Sequence, residues 1–526
     1  MSDKKRLQAL QDIVVEMMSH KELNETLNFI VSKAVKLLTA DAASLYLKSP
    51  NEETLTFEVA INQSVPVVFE KTSIPISDKG IANYVFKSAE PLNIQDVQKA
   101  TDNKFIFNDS FDRNFGYTTK SILAYPLVSS KGKVLGVIQV INRKSSLEQP
   151  WPLKDKSKVE AMPAFTAEDA SLLKSFSGIA SAAIENSRLY SEIENLLEGF
   201  VKASVHAIES RDPTTSGHSE RVAALTVNLA ENCTRSQDDG LKELQYNSQQ
   251  IAEIRYASLL HDFGKIAVKE STLLKQEKLS PHQKSEIMYR FKDFKHSAEK
   301  EVLYTYIEKL VKESRSPNDI EWMKVRKEIE DFGLKMHEAW LLVEELNRPT
   351  VLNDDQSARL KEISHMHCKN CEGHTVPLLK EDEISRLNII RGSLTADERK
   401  EIESHVSHTV QFLKRIPWTQ KFSNLVEIAG AHHEKLNGKG YPNALSFDGI
   451  PDQAKMMTIC DIFDALVAND RPYKKALPLE KALDILEMHV KANEIDRRFY
   501  KVFIEGKSWE TPSFLAHMKS DLRKIA

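Results

Sequence analysis

Fifteen of the sixteen histidines lie after residue 205, and five of them form an ordered series with acidic partners: His218, His261-Asp262, His405, His432-His433 and Asp461. Imidazole nitrogens mixed with carboxylate oxygens suit a borderline transition metal, and seven such groups are more than one ion needs. The C-terminal half therefore reads as a multi-metal enzyme. In Leu259-Leu260-His261-Asp262-Phe263-Gly264-Lys265 the adjacent pair would project about 100° apart on a helix, so it cannot close on one ion as an i, i+4 pair would. It can reach two neighbouring ions. An aspartate touching both with its two oxygens fits metals about 3.5–4 Å apart, the spacing that activates a shared hydroxide for in-line attack on phosphorus.

A chain of 526 residues is too long for one core and is expected to form two to four domains. Apolar content of 41% and charged content of 28% are those of a globular protein. The net charge of −4 gives no global field that would steer nucleic acid or an anionic membrane to it, so attraction for an anionic substrate must be local. The opening MSDKKRLQALQDIVVEMM carries charges within its apolar stretch and reads as an amphipathic helix rather than a signal peptide. With no apolar run of about 18 residues, no membrane span and a cytoplasmic location are expected.

The positioning elements divide into two kinds. Residues 1–165 alternate helical and strand patterns: a helix over Lys5–Leu38, apolar runs at Ala43–Lys48 and Leu55–Ile61, then the hairpin SILAYPLV, SSKGK, VLGVIQVIN. Its second run is nearly continuous, as in a central strand. Helices flanking a mostly antiparallel sheet make an α+β domain. From Thr166 no proline interrupts a helical pattern that reaches about Ser210. Leu172, Phe176, Ile179, Ala183, Asn186, Tyr190, Ile193, Leu197 and Phe200 follow an alternating 4-3 spacing. Over 166–205 this reads as a coiled-coil seam pairing two parallel chains, with Asn186 fixing register. The alternative is a long helix packed on its own domains.

Residues 206–526 read as all-helical, with an insertion at about 281–390. Its two charged helices, 281–313 and 317–346, are expected to form a solvated hairpin peripheral to the chemistry. LSPHQKSEI at 279–287 is echoed by LTADERKEI at 394–402, and the second copy places His405 where the first has Arg290. That assigns the ligand to His405 rather than to His296. His365, His367, Cys368, Cys371 and His374 could make a small structural zinc site, but one CxxC without a distant second pair is incomplete, and a hydrogen-bonded turn without metal is favoured.

The order of N-terminal elements, with LAYPL and GVIQVIN, resembles a GAF domain of the kind attached to cyclic-nucleotide phosphodiesterases. Asn103-Lys104-Phe105-Ile106-Phe107 resembles the opening of their NKxnF motif. Phe111-Asp112 stands where the acidic pair should follow, so a sensory or dimerising GAF fold is expected, with a small molecule or cyclic nucleotide as the ligand class the resemblance implies.

HDFGK together with HHEKLNGKGYP, from His432 to Pro442, resembles the HD-GYP family, whose members hydrolyse cyclic di-GMP. The resemblance covers about 200–275 and 391–490. It implies His218, His261, Asp262, His405, His432, His433 and Asp461 as metal ligands, with Asp262 as the bridge and catalytic centre. Gly438, Gly440, Tyr441 and Pro442 would form the signature loop, with Gly440 and Tyr441 touching substrate. Lys265 and Arg471 would contact phosphate oxygens, and Glu434 would orient a ligand. Members with three metals carry a glutamate four residues before the first histidine ligand. Thr214 stands there and Asp212 is expected to point elsewhere, so two ions are implied. His/carboxylate sites suit iron or manganese, and the resemblance favours iron.

The sequence thus predicts a dimeric phosphodiesterase that opens cyclic di-GMP to pGpG and onward to GMP, under GAF control. Cyclic GMP-AMP is the alternative substrate. A non-catalytic receptor that binds the dinucleotide, or a protein partner through the GYP loop, and a mononucleotide hydrolase are the rival readings.

Overall fold

The computed structural model describes residues 13, 16–17, 22–49, 53–66, 71–100, 103–212, 216–236, 238, 240–349, 351–369, 372–468, 476–512 and 514–515. The chain divides into two compact units, residues 1–199 and 200–526.

In the first unit, α1 (Leu23–Leu37) leads into β1 (Ala40–Lys48), β2 (Thr54–Asn62) and β3 (Thr72–Pro75). These are followed by α2 (Ile81–Ser88), β4 (Leu92–Ile94), α3 (Ser110–Phe115), β5 (Ile122–Val128), β6 (Val134–Arg143) and α4 (Lys156–Glu160). The strands form one antiparallel sheet in the order β3-β2-β1-β6-β5-β4. The near-continuous apolar run VLGVIQVIN is therefore an interior strand with both faces covered. Ile138 and Val140 of β6 join a core with Ile30 and Val31 of α1, while Val137 faces the opposite core with Val85 of α2 and Phe105. The helix expected over Lys5–Leu38 is divided at Glu22, which is extended (φ −82°, ψ 132°); before it Ile13, Glu16 and Met17 are helical, and most of residues 1–21 lie outside the described residues. Phe105 of the NKxnF-like segment is a core residue, and Asp112 receives the Thr119 amide at 2.7 Å and its hydroxyl at 2.8 Å. Both therefore have local structural partners.

A single helix, α5 (Ala167–Arg211), runs where the uninterrupted pattern predicts. Its apolar residues fall into two sets with different surroundings. Leu173, Phe176, Ala180, Ala183 and Ile184 are buried in the first unit's own core, with Leu172 and Ile179 packed against it. Tyr190, Ile193 and Phe200 are 59%, 60% and 45% exposed, with Leu197 half-buried. The seam expected from Leu172 to Phe200 is thus covered by the same chain over its first half, and only the stretch after Asn186 offers an open apolar stripe.

The second unit contains α6 (His218–Arg235), α7 (Ser248–Leu260), a 3-10 turn (Phe263–Ala267) and α8 (Glu270–Leu273). The insertion follows, with α9 (Pro281–Lys312), α10 (Asp319–Leu346), α11 (Asp354–Ser364), a hairpin of β7 (His367–Lys369) and β8 (Thr375–Pro377), and α12 (Glu381–Leu387). After the insertion come α13 (Ala396–Leu413), α14 (Leu425–Gly430), α15 (Asp452–Val467), α16 (Leu479–Lys491) and α17 (Arg497–Glu505). The β7–β8 pair departs from the all-helical expectation.

The two echoed segments are both helix starts closed by capping boxes, Ser280 with Gln283 and Thr395 with Glu398, which satisfy the free amides of a first turn. The base of the α9–α10 hairpin is not solvated. Ile287, Phe291 and Phe294 pack with Met336, Val343, Leu360 and Leu378 in a core of the insertion's own. The outer part is open, with Val311 72% and Met323 70% exposed. Arg290, the counterpart of His405 in the echo, pairs with the buried Glu383, and His296 is an exposed partner of Glu299. His365, His367 and His374 are exposed. Cys371 and the Cys368 side chain lie outside the described residues, so the proposed zinc cluster does too.

The division of α5 yields a stability prediction. Phe176→Ala should destabilise the first unit by about 3–5 kcal/mol, the usual loss for a fully buried phenylalanine. Denaturant unfolding of the full chain, followed at the first transition, measures this, and a loss below about 1 kcal/mol would contradict the packing.

Candidate metal centre

The described ligand candidates come from five places: the first residue of α6 (His218), the end of α7 and the start of the 3-10 turn (His261, Asp262), the middle of α13 (His405), the segment after α14 (His432, His433), and the middle of α15 (Asp461). α6 packs on α7 and α15, α14 bridges α7 and α13, and the 3-10 turn lies against α13. That last approach needs glycine at 264, where a Cβ would lie 1.8 Å from the His405 carbonyl oxygen. Thr409 of α13 completes the junction, accepting from the Gly264 amide at 2.8 Å and donating to the His261 carbonyl at 2.9 Å. Thr458 of α15 donates in the same way to the His432 carbonyl at 2.8 Å.

Ring orientation follows one rule at three histidines. His261 Nδ1 lies 2.6 Å from the Ser258 carbonyl, His405 Nδ1 2.6 Å from that of Ile402, and His432 Nδ1 2.7 Å from that of Ala429. A carbonyl only accepts, so each Nδ1 carries the proton and each Nε2 keeps its lone pair. All three Nε2 atoms are buried without a hydrogen-bond partner. His218, at the first position of its helix, uses a carboxylate instead. Its Nδ1 lies 2.8 Å from Asp464 Oδ2, and Arg221 grips that carboxylate with Nε at 2.7 Å and a second nitrogen at 2.9 Å.

The nitrogens and oxygens fall into two groups with metal-ligating spacing, His218-His261-Asp262 and His405-His432-His433. Asp262 lies between them. Its Oδ2 is 3.4 Å from His261 Nε2 and 3.8 Å from His218 Nε2, while Oδ1 is 3.3 Å from His405 Nε2. Asp461 also faces both groups, with Oδ1 3.2 Å from His218 Nε2 and Oδ2 3.9 Å from His433 Nδ1. Three buried imidazoles with free Nε2 lone pairs around a two-oxygen carboxylate fit the donor set of two divalent transition ions.

The electrostatics agree. Burial pushes Asp262 toward neutrality, but Lys265 and His261 outweigh it and hold the carboxyl well below the usual range. Burial likewise opposes charge on His218, yet Asp461 and Asp464 raise it to about 10. Burial and the neighbouring imidazoles keep His432 well below its ordinary value, and burial brings His433 down to about 4 despite Asp461. One side of the centre therefore attracts positive charge, and the other offers neutral imidazole, the form that binds metal.

Lys265 belongs to the centre, with Nζ 2.7 Å from Asp262 Oδ2. Asp212, expected to point elsewhere, instead lies 4.0 Å from the Lys265 ammonium. Tyr441 stands beside the histidines, its ring 4.8 Å from His433 and 6.4 Å from His405. The loop carrying it closes tightly because Gly440 has no side chain, as a Cβ there would meet the Lys435 amide at 2.4 Å, and Gly438 takes φ +70°.

Glu434 was expected to orient a ligand. Its two oxygens accept the Asn443 and Leu445 amides at 2.7 and 2.9 Å, so it anchors the loop instead. Asp464 is the residue that sequence reasoning missed. Its signal was a position three residues after Asp461, on the same helical face. Arg471 and Thr214 lie outside the described residues.

The GAF domain family matches residues 22–184 and the HD domain family residues 381–499. The HD match begins near the end of the insertion, so His218 and His261-Asp262 lie outside it. A stretch of 96 residues is 43% identical to 3′3′-cGAMP-specific phosphodiesterase 3 of Vibrio cholerae serotype O1, covering 18% of this chain and 20% of that protein. Phosphodiesterase 2 of that specificity from the same organism is 42% identical over 83 residues, 16% of each chain. Dual 3′,5′-cyclic-AMP and -GMP phosphodiesterase 11A of Takifugu rubripes is 31% identical over 160 residues, 29% of this chain and 16% of that protein. The chain thus spans about one-fifth or less of these relatives' lengths. It therefore carries a GAF domain N-terminally and an HD domain C-terminally.

Proposed function

We propose that this chain is a two-metal cyclic-dinucleotide phosphodiesterase that opens cyclic di-GMP to pGpG and onward to GMP in the cytoplasm, under control of its GAF domain. The observation that carries the reading is the set of three buried, unpartnered Nε2 atoms around Asp262. His218, His261, Asp262 and Asp461 would hold one ion and Asp262, His405, His432 and His433 the other, iron or manganese by donor type. Such a pair supplies an activated hydroxide and polarises a phosphoryl oxygen.

Lys265, already against Asp262, would offset charge developing on the phosphate, joined by Arg471 from the segment after α15. Tyr441 and Gly440 would border the substrate. The 3′3′-cGAMP specificity of the two Vibrio cholerae relatives favours that dinucleotide as the second reading. The apparent completeness of the ligand set weighs against a non-catalytic receptor.

In the GAF domain a cavity of about 790 Å³ between the sheet and α2 is lined by Asn83, whose Oδ1 is buried without a partner. It suits a small ligand with a hydrogen-bond donor. The open stripe of Tyr190, Ile193 and Phe200 suits the same helix of a second copy.

Asp262→Asn should lose metal and hydrolysis together, because a neutral amide bridges two cations poorly. Elemental analysis beside a turnover assay on cyclic di-GMP and 3′3′-cGAMP tests this, and full turnover with two ions bound would refute the bridge. Asp464→Asn should weaken metal binding about 10–100-fold, as loss of a ligand's orienting partner does. Chelator competition reads the affinity, and an unchanged value would remove Asp464 from the assignment. Inserting four residues after Asn186 moves the open stripe about 40° around the helix. Dimerisation, judged by sedimentation, and basal turnover should both change, whereas a variant unaltered in both argues for a passive tether.

A further inference from the structure

Tyr441 borders a second space beside the histidine cluster. A pocket of about 370 Å³ is lined by Gly392, Ser393, Arg399, Ile402, Glu403 and Tyr441, among others. Arg399, Ile402 and Glu403 share one face of α13, since residues three and four apart are neighbours on a helix. Ile402 lies one turn before His405, about 4.5 Å along the axis, and its carbonyl holds His405 Nδ1. The pocket is thus joined to the centre through Ile402 on one side and Tyr441 on the other.

The two charged groups at this wall differ in what they can recognise. A carboxylate only accepts hydrogen bonds and a guanidinium only donates them. Neither the Arg399 nor the Glu403 side chain has a hydrogen-bond or ion-pair partner among the described residues, so both remain available to a ligand. Guanine matches this pair: N1–H and the N2 amino group donate, while O6 and N7 accept. Adenine mismatches it, presenting the N1 lone pair to the carboxylate and the N6 amino group to the guanidinium. An aromatic ring in the same wall offers a stacking face for the base.

Resting on the reading of the centre as a cyclic-dinucleotide phosphodiesterase, we infer that this pocket is a guanine-recognition subsite. Glu403 accepts from N1–H and the N2 amino group, Arg399 donates to O6 and N7, and the base stacks on Tyr441. Cyclic di-GMP and 3′3′-cGAMP each supply the required guanine, and cyclic di-AMP supplies none.

The test uses the full chain with its metals, as wild type, Glu403→Gln and Arg399→Met, and measures kcat and KM on cyclic di-GMP and cyclic di-AMP together with metal content. The wild type should prefer cyclic di-GMP. Each variant should lose about tenfold in kcat/KM on it, the discrimination carried by one charged base contact. The loss should fall mainly in KM, with cyclic di-AMP and metal content unchanged. An equal loss on both substrates, or no loss, overturns the subsite. If the wild type hydrolyses neither substrate, the proposed activity fails by itself, and calorimetry with 5′-GMP and 5′-AMP then decides the pocket. Tighter binding of GMP that disappears in Glu403→Gln upholds it, and equal binding of the two by wild type overturns it.

Discussion

The centre depends on the hydrogen bond at Nδ1 of each buried imidazole. A buried histidine whose second nitrogen lacks a partner has little to hold its ring plane or tautomer, and a ligand turned by a few tens of degrees no longer points at the ion. At His261, His405 and His432 the partner is the carbonyl three residues earlier. Two of these positions follow a helix end, where carbonyls are left without amide partners and can accept at little cost. The backbone around them is held in turn by Thr409 and Thr458. Helix geometry, threonine clamps and the close approach at Gly264 therefore serve one purpose, which is to hold three Nε2 lone pairs on one small volume.

The charges at the centre explain why positive counterparts sit so close. Asp262, Asp461 and Asp464 are all held ionised below the usual range although burial opposes it. Among the described residues Lys265 pairs with the first, and Arg221 forks onto the third. His218 is shared between the second and third. Buried carboxylates require such compensation, because an isolated one would protonate instead. A divalent ion in place of the His218 proton would satisfy the same field. The attraction is local, as the chain's net charge of −4 requires.

What could be read from the sequence was what local chemistry dictates. The HD doublet, the tandem histidines and both capping boxes are short-range patterns, and the interior strand showed itself by an apolar run too continuous for a half-exposed one. Glu434 was misread because its partners are amides nine and eleven residues ahead, which meet it only once the loop has closed. Asp464 carried a readable spacing from Asp461, but its importance lies in His218, 246 residues away. The α5 stripe shows the deeper limit. Apolar spacing states that a helix face is covered and leaves open by what, so Phe176 and Ile193 looked alike although one is buried in its own domain and the other is open.

That difference gives α5 a physical part in the GAF control proposed above. Its first half is built into the GAF core through Phe176, Ala180 and Ile184, so a ligand that repacks that core must act on the helix. At its far end Arg211 donates to the carbonyls of Ile266 and Val268, in and just after the turn that follows the HD doublet. Asp212 reaches toward Lys265, the cation against Asp262. A ligand shifts an equilibrium only by its differential affinity for two states. GAF control therefore requires two arrangements of α5 that differ both in the packing around Phe176 and in the hold of Arg211 on the 266–268 backbone. Contacts made at only one end would leave ligand binding and catalysis uncoupled.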